Sequence, residues 1–106
     1  MPKYKDYDEY VIKKLEDPAY ASAYINVAFE EYFNDDDSEA FAQSLSYLIQ
    51  ANGGVTKVAE KACLDRKNLY KIFNNEVKPK LETVYKILRA MNYTLVITPF
   101  SEDKAS

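Results

Sequence analysis

The sequence predicts an all-α fold of five or six helices that includes a helix-turn-helix pair, with a helical N-terminal extension and one C-terminal β-strand. Three observations carry this. Only 2 Gly and 4 Pro occur in 106 residues, so the chain has few helix breakers. Apolar residues recur at three- and four-residue spacing through most of its length. One segment, residues 93–99 (YTLVITP), is instead rich in β-branched and aromatic side chains and too short for a helix. With 47% hydrophobic and 29% charged residues, the composition is that of a globular protein with a single modest core.

The elements follow in order. Residues 4–16 place Tyr7, Tyr10, Val11, Lys14 and Leu15 at the spacing of a short helix. Asp17-Pro18 starts a second: Asp can accept a bond from a free backbone N–H, and Pro fits the first turn because its missing N–H would be unpaired anyway. To Phe33, Tyr20, Tyr24, Val27, Ala28 and Glu31 mark one face of it, widened by Ile25, Phe29 and Tyr32. The run Asn34-Asp35-Asp36-Asp37-Ser38 breaks that helix and favours the positive end of the next. It reads as capping and linker and not as a metal site, because no Gly and distal Glu follow at calcium-loop spacing. The third helix spans residues 38–51 on Phe41, Leu45, Leu48 and Ile49, and Asn52-Gly53-Gly54 stops it. Two short helices, 56–62 and 65–73, precede a polar connector, 74–80, and a helix at 81–91 with Val84, Tyr85, Leu88 and Met91 inward. The organisation is then an acidic extension (1–37), a helix-turn-helix domain (38–92), the strand (93–99) and a tail (100–106).

Absences restrict the chemistry. Without His there is no imidazole base or ligand, and the single Cys63 forms neither an intrachain disulfide nor a cysteine zinc site. No nucleophile–base constellation accompanies the paired Glu30-Glu31, so no enzyme, cofactor or metal is expected. No signal peptide or apolar stretch of membrane length is present, and a reducing cytoplasm is the expected compartment. The net charge of −3 conceals an asymmetry: residues 1–40 carry 4 basic and 11 acidic side chains, residues 54–90 carry 9 basic and 4 acidic. Opposite blocks of this kind point to two faces with different partners, or to two solvated surfaces.

The basic block has a specific pattern. In GVTKVAEKACLDRKNLYKIFNN, apolar residues at 58, 59, 62, 64, 69 and 72 have the spacing of a helix-turn-helix unit, with small Ala59 where two helices cross closely. The outward side of the second helix then carries Arg66, Lys67, Asn68, Tyr70 and Lys71, followed by Asn74 and Asn75. These are the donors, acceptors and cations that bridge phosphates and base edges of a DNA duplex. Tyr70 serves either phosphate or core. Asp65 caps the helix, Thr56 and Lys57 sit at the start of the first one where free N–H groups grip phosphate, and Lys78 and Lys80 extend the basic surface. Lys61 and Lys86 read as solvated lysines, and Cys63 as a small buried packing residue.

The pattern V-T-K-V-A-E-K-A-x-L-x-x-x-x-L-Y-K-I, followed by K-P-K-L-E-T-V-Y-K-I-L-R-A-M-N-Y, resembles the lambda-repressor-like (XRE/Cro-type) fold. More narrowly it is similar to the addiction-module antidote proteins, antitoxins of the HigA type, which share a leading acidic helix near a D-P pair, as at Asp17-Pro18, and a terminal strand. The resemblance implies a sequence-specific repressor of its own operon that also neutralises a RelE/HigB-like messenger-RNA interferase by binding it. The sequence departs from the family at Cys63, where the turn usually has Gly, and at Lys80, where a Ser or Thr cap is usual. The acidic, Tyr-rich extension, with Tyr20, Tyr24, Glu30 and Glu31, is the candidate toxin surface. A lone strand cannot satisfy its own backbone, so pairing with a second copy through Tyr93, Leu95 and Ile97 is the simplest solution, and pairing with its own N-terminal segment the alternative. A stand-alone prophage or chromosomal regulator without a toxin, and a protein-binding adaptor on the same scaffold, are the competing readings.

Overall fold

A computed structural model describes residues 2–99, with the side chains of 2–5 excepted. Six helices run in order: α1 Pro2–Lys14, α2 Pro18–Asp35, α3 Ser38–Ala51, α4 Val55–Ala62, α5 Arg66–Phe73 and α6 Leu81–Ala90. Helix α3 is the centre. It packs against α1 and α2 and also against α4 and α5, while α6 packs on α4. Leu45, Leu48 and Ile49 are wholly buried and Phe41 nearly so, because α3 has apolar side chains around most of its circumference and neighbours to cover them.

Local chemistry sets most of the boundaries. The Asp17 carboxylate accepts from the Ala19 N–H, with Pro18 opening α2, and Asp37 accepts from the Ala40 N–H to begin α3. Helix α2 continues to Asp35 and ends on Asp36, which is left-handed at φ 54° and donates its N–H to the Tyr32 carbonyl. Beyond α3, Gly53 and Gly54 take φ of 107° and 94°, values an L side chain rarely adopts. The Gly54 N–H bonds the Ile49 carbonyl and closes the helix.

Three expectations are corrected. On α2 the face against the core is Ala21, Ile25 and Ala28, flanked by Phe29 and Tyr32; Tyr20 and Val27 stay exposed. The aromatic layer is built by Phe29 and Tyr32, whose rings each lie 5.0 Å from that of Phe41. On α6, Ile87 is buried and Tyr85 points outward, since the aliphatic chain fits between α4 and α6 without needing a partner for a hydroxyl. Residues 93–99 form no strand, and the described residues contain none. A strand needs a second one to bond, and the described residues offer none there. The expected tail, residues 100–106, lies outside the described residues. Among the described residues no helix is long and apolar enough to cross a membrane.

One polar network joins α1 to α3 inside this packing. The Tyr47 hydroxyl donates to Asp8 Oδ1 at 2.6 Å and accepts from Gln43 Nε2 at 3.1 Å. Burial, and then the hydrogen bond to the Asp8 carboxylate, push the Tyr47 phenol far above its ordinary range. A raised folded-state value means that the unfolded chain loses this proton first, so stability holds below about pH 10 and falls as pH rises beyond it. Tyr47→Phe is therefore expected to cost about 1–2 kcal/mol at neutral pH. In urea titrations the gap between wild type and variant should narrow above pH 10; a constant gap would show that the phenol is not held protonated by the fold.

Candidate nucleic-acid interface

The basic block folds into two short helices around a tight turn. Val55, Val58, Ala59 and Ala62 of α4 and Leu69 and Ile72 of α5 face the core, as their spacing predicts, and Leu64 is tucked partly beneath them. The turn depends on Cys63. Its backbone is left-handed at φ 58°, ψ 42°, and its N–H bonds the carbonyls of Ala59 and Glu60. The Leu64 N–H also reaches the Ala59 carbonyl, at 2.9 Å, so the chain reverses in one residue and turns Leu64 inward. The Cys63 side chain is exposed, which corrects the expectation of a buried packing residue: a left-handed cap directs its Cβ away from the helix pair.

With the apolar side of α5 fixed, its other side is determined. Arg66, Lys67, Asn68, Tyr70 and Lys71 are all exposed around it. Asp65 caps the helix by accepting from the Lys67 N–H at 3.0 Å, so its charge is directed at the helix end. Arg66 Nη1 donates to Thr56 Oγ1 at 3.1 Å, tying the start of α5 to the start of α4. There Gly54 makes no side-chain cap, which leaves the first N–H groups of α4 free beside Thr56 and Lys57. The Lys57 stem lies across Gly53, where a Cβ would come within 2.5 Å of its Cδ. Tyr70 is half-exposed and sets its ring edge-on to Phe73 at 6.2 Å, so it serves both the surface and the packing under it.

The connector completes the surface. A groove of about 270 Å³ runs from Asn68 and Ile72 to Lys78, Lys80 and Thr83, so Lys78 and Lys80 stand beside α5. Val77 and Thr83 line this groove and carry no signal of their own in the sequence. Lys80 precedes α6 without a side-chain cap bond, as its residue type implies. Asn74 caps α5 through its backbone, while Asn75 is left-handed at φ 60° and accepts from Ser38 Oγ at 2.9 Å. Lys78 meets the Asp36 carboxylate at 3.4 Å. Two expected contact residues are thus engaged by the α2–α3 junction, through pairings 37 and 42 residues apart in sequence.

The expected partner surface does not form one patch. Tyr20, Tyr24 and Glu31 line one groove on α2, whereas Glu30 lies on another side with Phe33, Leu95 and Val96. Of the residues expected to dimerise, Tyr93 is half-buried against its own core and donates its N–H to the Leu88 carbonyl. Burial, with the Asp17 carboxylate, raises its phenol. Leu95 is part-exposed and Ile97 wholly so. Among the described residues no group of three or more acidic or Cys side chains could hold a metal ion.

Such geometry defines a small helical protein whose central helix α3 is packed by the cationic pair α4 and α5 and by α1 and α2 of the acidic N-terminal block. The chain belongs to the family of probable addiction module antidote proteins, whose model matches residues 4–99. No curated protein and no solved structure is significantly similar to it.

The left-handed Cys63 carries a cost that Gly would not. Cys63→Gly is expected to raise unfolding stability by about 0.5–1 kcal/mol in urea titration. An unchanged or lower midpoint would mean that the thiol makes a compensating contact.

Proposed function

We propose that this chain is the antitoxin of a type II toxin-antitoxin module, a cytoplasmic repressor of the XRE/HigA kind that binds its own operator and neutralises a RelE/HigB-like toxin by direct contact. The observation that supports the DNA half is the outer surface of α5: Arg66, Lys67, Asn68 and Lys71 are exposed while Leu69 and Ile72 are buried. A helix presented this way lies in the major groove with its side chains on base edges, while the starts of α4 and α6 grip phosphate. Thr56, Lys57, Lys78 and Lys80 fit that second role. The toxin half rests on family membership and on the acidic 1–37 extension, whose charge suits a cationic RNA-cleaving partner.

Two copies would act together. The exposed, β-branched 94–97 segment would pair with its equivalent in an antiparallel ribbon, placing two α5 helices on the halves of a palindrome. The 38–92 domain then reads DNA, 93–99 joins the copies and 1–37 meets the toxin.

Replacing Arg66 and Lys71 together by Ala should weaken operator binding at least 100-fold and flatten the dependence of log K on log salt by about two units per chain. Fluorescence anisotropy at several salt concentrations reads both, and unchanged affinity would remove α5 from the interface. Ile97→Arg should convert a dimer to a monomer in light scattering; a monomeric wild type would overturn the ribbon.

A further inference from the structure

Helix α2 has more apolar surface than its own chain covers. One stripe, Ala21, Ile25 and Ala28, is buried on the core. A second runs through Tyr20, Tyr24, Val27 and Glu31, at successive spacings of four, three and four residues. Tyr24 leans partly on the core, but among the described residues no element covers the stripe, and Tyr20 is 40% and Val27 52% exposed. The stripe floors a groove of about 340 Å³ whose walls include Ala23 and, from α3, Ser44. Tyr20 also borders a hollow of about 380 Å³ lined by Tyr10, Lys13, Lys14 and Asp17.

The form of the groove restricts its occupant. Spacing of four, three and four is the seam that one helix offers to another, since it keeps the same side chains in contact turn after turn. From Tyr20 to Glu31 the seam is about 16 Å long, at 1.5 Å per residue, which is the reach of three helical turns. Ala23 and Ser44 at its margins are small and let a second backbone come close, while the Tyr20 and Tyr24 rings, 6.3 Å apart and nearly parallel, present broad faces with polar tips. Charge selects among helices. Residues 1–40 hold 11 acidic side chains against 4 basic, and Glu31 stands in the groove itself. At the far end Lys14 lies 5.5 and 5.7 Å from the Tyr10 and Tyr20 rings, so the cationic part of the occupant belongs at the Glu31 end.

We infer that the Tyr20–Tyr24–Val27–Glu31 groove of α2 is the docking seat for an amphipathic helix of the toxin, with apolar residues at three- and four-residue spacing flanked by Lys and Arg. This rests on the antitoxin reading and adds to it the place and the form of contact. Glu30 lies outside the seat, on the side of α2 that faces Leu95.

The test uses the full chain and the purified product of the reading frame next to its own, with affinity measured by titration calorimetry. Val27→Arg puts a cation in the middle of the seam, at an exposed position that does not support the core. Binding at least 30-fold weaker, with operator affinity within twofold of wild type, is the expected result. Should the circular dichroism of that variant show lost helix, Val27→Ser replaces it, with an expected 3- to 10-fold loss. Full-strength binding by a folded variant would overturn the seat and leave the antitoxin reading standing. A wild-type chain that does not bind the neighbouring protein would remove that reading and the seat with it. If Val27→Arg instead changes the mass of the free chain in light scattering, the groove belongs to a second copy and the inference fails.

Discussion

Everything in this molecule hangs on the burial of α3. A 14-residue helix with Phe41, Leu45, Leu48 and Ile49 out of water must be covered from more than one side. The only cover available comes from both ends of the chain. Helices α1 and α2 of the acidic N-terminal block close one part of its surface, and α4 and α5 close another. Separation of charge follows from that. Two blocks that would attract each other as free segments are held apart by a layer of hydrocarbon, each with its polar side turned outward. An acidic chain can therefore present a cationic face: what a partner meets is the local arrangement, not the sum of −3.

The two halves still touch at one edge, and the contact there is weak by design of its chemistry. Asp36 and Lys78 are both largely exposed, so their pairing in water adds little to stability, on the order of 0–1 kcal/mol. Its effect is positional. Asp36 and Asn75 are both left-handed, which brings the α2–α3 junction and the α5–α6 connector face to face, and Ser38 bonds Asn75 across the gap. A screened ion pair can exchange its carboxylate for another anion without cost to the core. Lys78 is thus held in place yet remains available, whereas Asn75 already has a partner for its carbonyl.

The sequence revealed the elements better than their faces. Helix α3 was legible from end to end because Asp37, the apolar spacing and the Gly53-Gly54 stop all agree. The helix pair around Cys63 was legible for the same reason: small Ala59, Leu69 and Ile72 leave one packing solution. Helix α2 was not, since it has two apolar stripes and periodicity cannot say which one its own chain covers. On α6, the choice between Tyr85 and Ile87 turned on the shape of the space against α4, which only the assembled fold defines. Asp36 with Lys78, and Ser38 with Asn75, left no trace, because contacts across about 40 residues have no local pattern. For residues 93–99 the composition is that of a strand, but a strand is a property of a pair.

That last point applies to α2 as well. Residues 94–97 and the outer stripe of α2 both leave side chains of core character in water, with Val96 at 74% and Ile97 at 100% exposure. One is a short run of β-branched and aliphatic side chains, as strands favour, and the other repeats as a helix seam does. Scattered apolar residues on a surface need no explanation, but a surface patch with the period of a secondary structure is a half-built interface. The two lie on different sides of α2, separated by the buried Ala21–Ile25–Ala28 face and the outward Glu30. A single straight helix cannot cover both. A chain built this way has room for a copy of itself and for a different protein at once, with the α5 face still free.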